Sequence, residues 1–405
     1  MSSLASSPSA APSGRRLDPA GFSTEFDLLL ACCAVGDHEF FARDVRACLD
    51  APVEWQQVLR LGEHHGVLPL VYQAVRDLAC RIPSAAFDDL RARYEHNARR
   101  NLRFTGELFR LLDCLAAHDV PAIPFKGPVL AETVYGDLAL REFSDLDILV
   151  CPADVLRAKA ALKSLGYAPN VQLSEAQERA CLASGYEYTF DGPAGKNLLE
   201  IQWGIVPRFY AVDFDCGAFF ERSQTASIGG RRVRTISPED LLVTLCVHAA
   251  KHAWIRLCWL RDLAGVLESQ AFNWDIVEQR ARDLGIQRIL GVNLLLAHRL
   301  LAAAVPDSLR ESWQGSREID SLCKEIAQHM PGAEQYSTES IEYFRLMLRL
   351  RERLSDKVRF AFRLTFTPGM GEWKVLGLPA PLFPLYRVIR FFRLGGRLLT
   401  GRTPG

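Results

Sequence analysis

The apolar pattern of this chain leaves a helical period near residue 119 and returns to it near residue 237. From Glu25 to about His118, apolar residues fall three and four apart, as on one face of a helix. "WQQVLRLGEHHGVLPLVYQAVRDL" places Val58, Leu61, Leu68 and Val71 this way, broken by Gly66 and Pro69. "FDDLRARYEHNARRNLRFTGELFRLLDCLAAHDV" continues it through Leu90, Tyr94, Leu108, Leu111, Leu112 and Leu115. The window that follows reads differently. "VPAIPF" is a short β-like run, then come Lys126-Gly127, a helix-compatible stretch from Pro128 to Tyr135, and an apolar strand ending at Val150. An amphipathic helix, "PADVLRAKAALKSLG", closes at Gly166. "YEYTF" (186–190) and "NLLEIQW" (197–203) flank the turn Gly192-Pro193-Ala194-Gly195, which predicts an antiparallel pair, and "RRVRTI" offers one more strand. Ser237-Pro238-Glu239-Asp240 is a helix start, with a serine cap, proline at the first helical position and acids at the positive end of the dipole. Helical spacing then holds to about Leu301.

The predicted class is therefore α+β: a small mixed β-sheet core flanked by N-terminal and C-terminal helical regions. The expected segments are a disordered tail (1–24), an N-terminal helical region (25–118), the core (119–236), a C-terminal helical region (237–345) and a basic Pro/Gly-containing tail (346–405). Formal net charge is zero, so no global basic face argues for nucleic acid. Eleven cysteines without a C-x-x-C pair fit reduced thiols in a cytoplasmic protein better than zinc or disulfides. The Ser/Ala/Pro-rich start lacks the charged and apolar regions of a secretory signal. No run of about 18 apolar residues predicts a spanning helix.

The strand ending at Val150 opens on two acids, in "SDLDILV". Side chains at i and i+2 of a strand share a face, so Asp145 and Asp147 point the same way, roughly 7 Å apart. Such a pair disfavours its own ionisation unless a cation holds it. Rigid oxygen ligands suit Mg²⁺, which takes one or two carboxylates plus substrate phosphates. For an isolated D-x-D, solvated acids at a strand end are the commoner outcome; the apolar strand behind these two favours a site. Glu200, between Leu199 and Ile201, is the third candidate, with Glu187 behind it; alternatively it marks the outward side of an edge strand, as would Gln202. Lys126-Gly127 ends a strand before a helix, a place where backbone approaches phosphate closely and lysine adds charge. Arg141 would clamp a polyphosphate or pair with Glu142 or an aspartate.

The ordered set of Lys126-Gly127, Arg141, Ser144-Asp145-Leu146-Asp147, Glu200 with Trp203, and Glu239-Asp240-Leu241-Leu242 leading to His248, His252, Trp254 and Asp262 resembles the DNA polymerase β-like nucleotidyltransferases. More narrowly, it is similar to uncharacterised bacterial nucleotidyltransferases. The resemblance implies two Mg²⁺ ions on Asp145, Asp147 and Glu200, with NTP held by Lys126, Gly127 and Ser144; Arg141 joins this nucleotide-binding set as the clamp read above. It implies transfer of a nucleoside monophosphate to a small-molecule, sugar, peptide or protein acceptor. The chain departs from the pattern in two places. Pro128 removes a backbone donor from the phosphate turn, and Gln202 stands where relatives often carry histidine. The alternatives are a catalytically silent regulatory or antitoxin-like module on the same fold and a phosphocholine-type transferase.

His248 and His252, at i and i+4, either line the nucleotide or acceptor pocket or are packed core residues. From Arg345 onward there are thirteen Lys/Arg against three Asp/Glu, with Arg387, Arg390, Arg393 and Arg397 at helical spacing. Such a helix lies on an anionic membrane surface or docks on the protein body.

Overall fold

The computed structural model describes residues 21–193, 195–332, 340–367 and 382–400. Nearly all of the expected N-terminal tail, the Pro/Gly-rich stretch 368–381 and the side chains of Arg393 and Arg397 lie outside that description. The described residues form an α+β fold in which helices enclose one small sheet.

The helical spacing before residue 119 resolves into the helices Thr24–Cys33, His38–Asp50, Trp55–His65, Leu68–Val75 and Ser84–Ala117. Gly66 ends the third of these in the left-handed region (φ 65°), and Pro69 sits in the first turn of the fourth. Those two residues turn one apolar pattern into two helices. The 34-residue helix Ser84–Ala117 is about 50 Å long at 1.5 Å per residue. Ala86 and Leu90 at its start join one hydrophobic core, while Leu108, Leu111 and Leu115 near its end join another.

The sheet contains Ala122–Pro124 (β1), Leu146–Val150 (β2), Ala168–Pro169 (β3), Glu187–Gly192 (β4) and Gly195–Gln202 (β5), in the order β1-β2-β5-β4-β3. β2 and β5 run parallel; the other pairs are antiparallel. Gln224–Ile228 (β6) and Arg231–Thr235 (β7) form a separate hairpin. β4 and β5 close between Gly192 and Gly195, at the predicted turn. The two-residue β3 and the polar β6 were not anticipated.

Alternation within β2 and β5 gives the sheet two unlike faces. Leu146, Ile148 and Val150, with Leu199, Ile201, Tyr188 and Phe190, pack on the end of the long helix and on the helix Val155–Lys163. The opposite face places Leu149 and Ile123 against the larger core, which N-terminal and C-terminal helices build together. Towards the start of β2 that second face turns polar. There the site lies.

The helix Pro238–Lys251 begins as predicted. Ser237 caps it, accepting from the Asp240 N–H at 3.3 Å. Asp240 is buried and accepts from Arg222 at 3.0 Å through both oxygens and pairs with Arg280 at 2.8 Å. It thus ties the segment before β6 and the helix Trp274–Leu284 to the cap.

Candidate active site

Asp147 and Glu200 are direct neighbours across the parallel β2–β5 pair, and Glu200 in turn faces Thr189 on β4. β5 is therefore an interior strand, which overturns the reading of Glu200 and Gln202 as outward residues of a sheet edge. Gln202, two residues on and on the same face, is 3% exposed, and its amide donates to both acids: 2.8 Å to Asp147 Oδ1 and 3.0 Å to Glu200 Oε2. Glu187 pairs in register with Gln202, bringing a fourth carboxylate to the same face beside Asp145, Asp147 and Glu200.

Lys126 reaches this group from the turn after β1. Its Nζ donates to Asp147 Oδ1 at 3.1 Å, with both side chains largely buried. The turn needs glycine next: Gly127 has φ 51° and ψ −125°, a conformation that L side chains avoid. Pro128 occupies the first turn of the short helix Pro128–Thr133. Ser144 is exposed at the strand mouth.

The electrostatics are out of balance. Burial, and then the charge of Asp147, push the Asp145 carboxyl above its usual range. Burial followed by Asp147, Glu187 and Asp145 does the same to Glu200. Lys251, at the end of the helix Pro238–Lys251, is a second cation here; it donates to the Tyr186 hydroxyl at 3.3 Å. Burial holds its ammonium below the ordinary value, against the opposing pull of Glu187, Glu200 and Asp147.

Arg141 does not join the carboxylate group through its forked face. Its Nε and Nη2 both donate at 2.8 Å to Asp262, which also accepts from the Tyr135 hydroxyl at 2.7 Å. Pairing with an aspartate is one of the outcomes the sequence offered for Arg141. The segment carrying Arg141 is pinned a second time by buried amides on the long helix. Asn97 Nδ2 donates to the carbonyls of Ala139 and Arg141, and Asn101 Nδ2 to those of Leu138 and Arg141. Sequence reading passed over these asparagines, whose i, i+4 spacing inside an apolar-periodic helix was the available signal.

His248 and His252 lie half-buried on the helix that carries Lys251, with ring centroids 4.8 Å apart, and both contact Trp259. Burial, with the charges of Lys126 and Lys251, keeps both imidazoles neutral by lowering their pKa values. Trp254 is a core residue whose indole N–H donates to Asn293 at 2.8 Å.

Among the described residues no three His, Cys, Asp or Glu side chains form a ready metal cage. The donor set nonetheless fits a hard divalent cation. Its members are carboxylate oxygens on adjoining strands, and Mg²⁺ takes only one or two of these when phosphates complete its shell. Asp145, Asp147 and Glu200 would hold an ion that arrives with a polyphosphate.

Among solved structures the chain is similar to the antibiotic-resistance factor ANT(2'')-Ia, at 15% identity over 45% of this chain and 91% of that one, with a TM-score of 0.33. It is also similar to an antigenic nucleotidyltransferase-like protein from Paracoccidioides brasiliensis, at 15% identity over 51% and 94% of the two chains, with a TM-score of 0.30. A comparison with curated proteins returned no match. Residues 51–302 match the family described as "Uncharacterised nucleotidyltransferase". That stretch is more than half of the chain and contains every site residue named above, so the chain belongs to this family of nucleotidyltransferases.

Proposed function

We propose that the protein transfers a nucleoside monophosphate from an NTP to a small-molecule, sugar, peptide or protein acceptor, with Mg²⁺ at Asp145, Asp147 and Glu200. One observation carries this reading: Asp147 and Glu200 stand opposite each other across two parallel strands, joined by one amide, with more negative than positive charge around them. When bound, Mg²⁺ supplies charge neutralisation for the polyphosphate and polarises the phosphorus under attack.

The chain's own residues do the rest. Lys126 and Gly127 receive the triphosphate at the turn after β1, and Ser144 offers a hydroxyl at the exposed mouth. A carboxylate of the set takes the proton of the acceptor hydroxyl as its oxygen bonds to the α-phosphorus. The bond from that phosphorus to the bridging oxygen breaks, and pyrophosphate leaves. Arg141, held by Asp262, keeps the loop before β2 in place, so its contribution is positioning. His248, His252 and Trp259, packed together on the Lys251 side, are assigned to the nucleotide or acceptor side of the site. Cytoplasmic NTP is the donor, and no specific nucleic acid is expected as acceptor.

A second reading is favoured by the Lys126–Asp147 contact, because a lysine that already neutralises Asp147 suits a silent binding module on the same fold. Incubating the full chain with Mg²⁺ and each labelled NTP separates the two. Pyrophosphate release, or label on the protein or an added acceptor, supports transfer; nucleotide binding without turnover in every case supports the silent module.

A further inference from the structure

The helix Leu354–Phe366 buries Asp356 and Phe360. Its other side shows Leu354, Val358, Phe362 and Phe366, four residues apart, at 76%, 61%, 62% and 38% exposure. The helix Leu385–Thr400 lies against it. Arg390 Nε donates to the Leu364 carbonyl at 2.6 Å, and the Phe366 and Phe391 rings stack at 6.5 Å with planes 9° apart. This second helix buries Tyr386 and exposes Val388 at 49% and Phe392 at 69%. Two joined helices thus each bury one apolar face and present another to solvent. Beside them is an open groove of about 680 Å³, where Phe362, Phe366 and Tyr386 meet Arg359, Arg363 and Arg387. Exposed apolar surface of this extent marks an interaction site.

Charge identifies the occupant. From Arg345 onward the chain carries thirteen Lys/Arg against three Asp/Glu; among the described ones Arg351 and Arg390 are buried and Arg349 pairs with Glu318 and Glu325, so Lys357 and Arg387 are the cations this patch offers beyond Arg359 and Arg363. Arg359 and Arg363 are paired with Asp356 and Asp213 at the inner side of the groove, while Arg387 is exposed. A second copy meeting this patch face to face would bring two basic regions together. Nucleic acid would satisfy the arginines but offers no apolar phase for Leu354, Val358 and Phe362. An anionic bilayer supplies both, because aliphatic and aromatic side chains enter the headgroup boundary while arginines meet lipid phosphates. We propose that this pair of helices is a docking surface for an anionic lipid membrane, which the protein touches without crossing. No described helix is long and apolar enough to span one. The inference does not depend on the chemistry of the carboxylate site.

The test is co-sedimentation of the full chain with vesicles of phosphatidylcholine alone and of phosphatidylcholine mixed with phosphatidylglycerol. Binding is expected on the mixed vesicles and should weaken with added salt. Because both side chains are exposed, Phe362→Ser with Phe392→Ser should leave the melting curve in place while lowering vesicle binding by about tenfold. Arg387→Glu should lower it by about threefold. Absence of binding to mixed vesicles overturns the proposal, as does binding that the Phe pair does not affect. Sedimentation velocity and a short-duplex titration cover the other occupants. Loss of a dimer, or of duplex binding, in these variants without any lipid binding would likewise refute the membrane.

Discussion

Asp262 and Asp147 are both buried aspartates beside the stretch from Thr133 to Leu146, yet they have unlike company. Asp262 accepts three hydrogen bonds, two from Arg141 and one from Tyr135, so one anion meets one cation and a neutral donor. Asp147 also has donors, Lys126 and Gln202, but Asp145, Glu200 and Glu187 crowd the same face. The first cluster is complete as folded. The second keeps carboxylates above their usual pKa range, a condition that a bound cation relieves. Burying charge is costly unless it is paired, so the contrast separates an aspartate with its partners in place from one whose group is left unbalanced, which is the one the proposed function uses.

Substitutions should divide along the same line. The largest effect is expected of Asp147→Asn, which should lower Mg²⁺-dependent NTP turnover on the order of 10³-fold or more, measured by pyrophosphate release, while the protein still unfolds cooperatively. Asp262→Ala should do the reverse and act first on stability. It strands a buried arginine and should cost about 3 kcal/mol in urea unfolding; if it left stability untouched while abolishing turnover, the division would fail. Next is Gln202→Leu, which removes the amide that orients both acids. A loss of about 10- to 100-fold in turnover is expected.

The last effect is on stability alone, a pH slope. Glu200 is raised from its ordinary 4.5 to about 8 in the fold. An acid raised on folding favours the fold while protonated; that contribution is complete below the unfolded value and is lost as pH climbs through the folded one. Metal-free protein should therefore lose stability between about pH 4.5 and 8 relative to Glu200→Gln, in melts run side by side. Equal slopes would remove the imbalance from the account.

The parts of this site visible in sequence were those written in local periodicity. An apolar strand with two acids at its mouth, a glycine after a lysine, and a glutamate between Leu199 and Ile201 each announce themselves within a few residues. What was hidden depends on contacts across long separations. The grip of Asp262 on Arg141 spans 121 residues, and that of Asn101 on the Arg141 carbonyl spans 40. Lys251 reaches the site because a helix end meets Tyr186, 65 residues earlier. β6 was hidden for another reason: "QTASI" has no apolar alternation, and pairing with β7 alone makes it a strand. The exposed stripe of Leu354, Val358, Phe362 and Phe366 misleads in the opposite sense, since spacing by four reads as a core face until packing shows the core on the other side.

The most direct test of the central claim is calorimetric titration of Mg²⁺ into the full chain in the presence of a non-hydrolysable NTP analogue. Saturable binding is expected of the wild type and of Asp262→Asn, and its loss in Asp147→Asn and Glu200→Gln. Equal affinity in the wild type and in both site variants would contradict the claim.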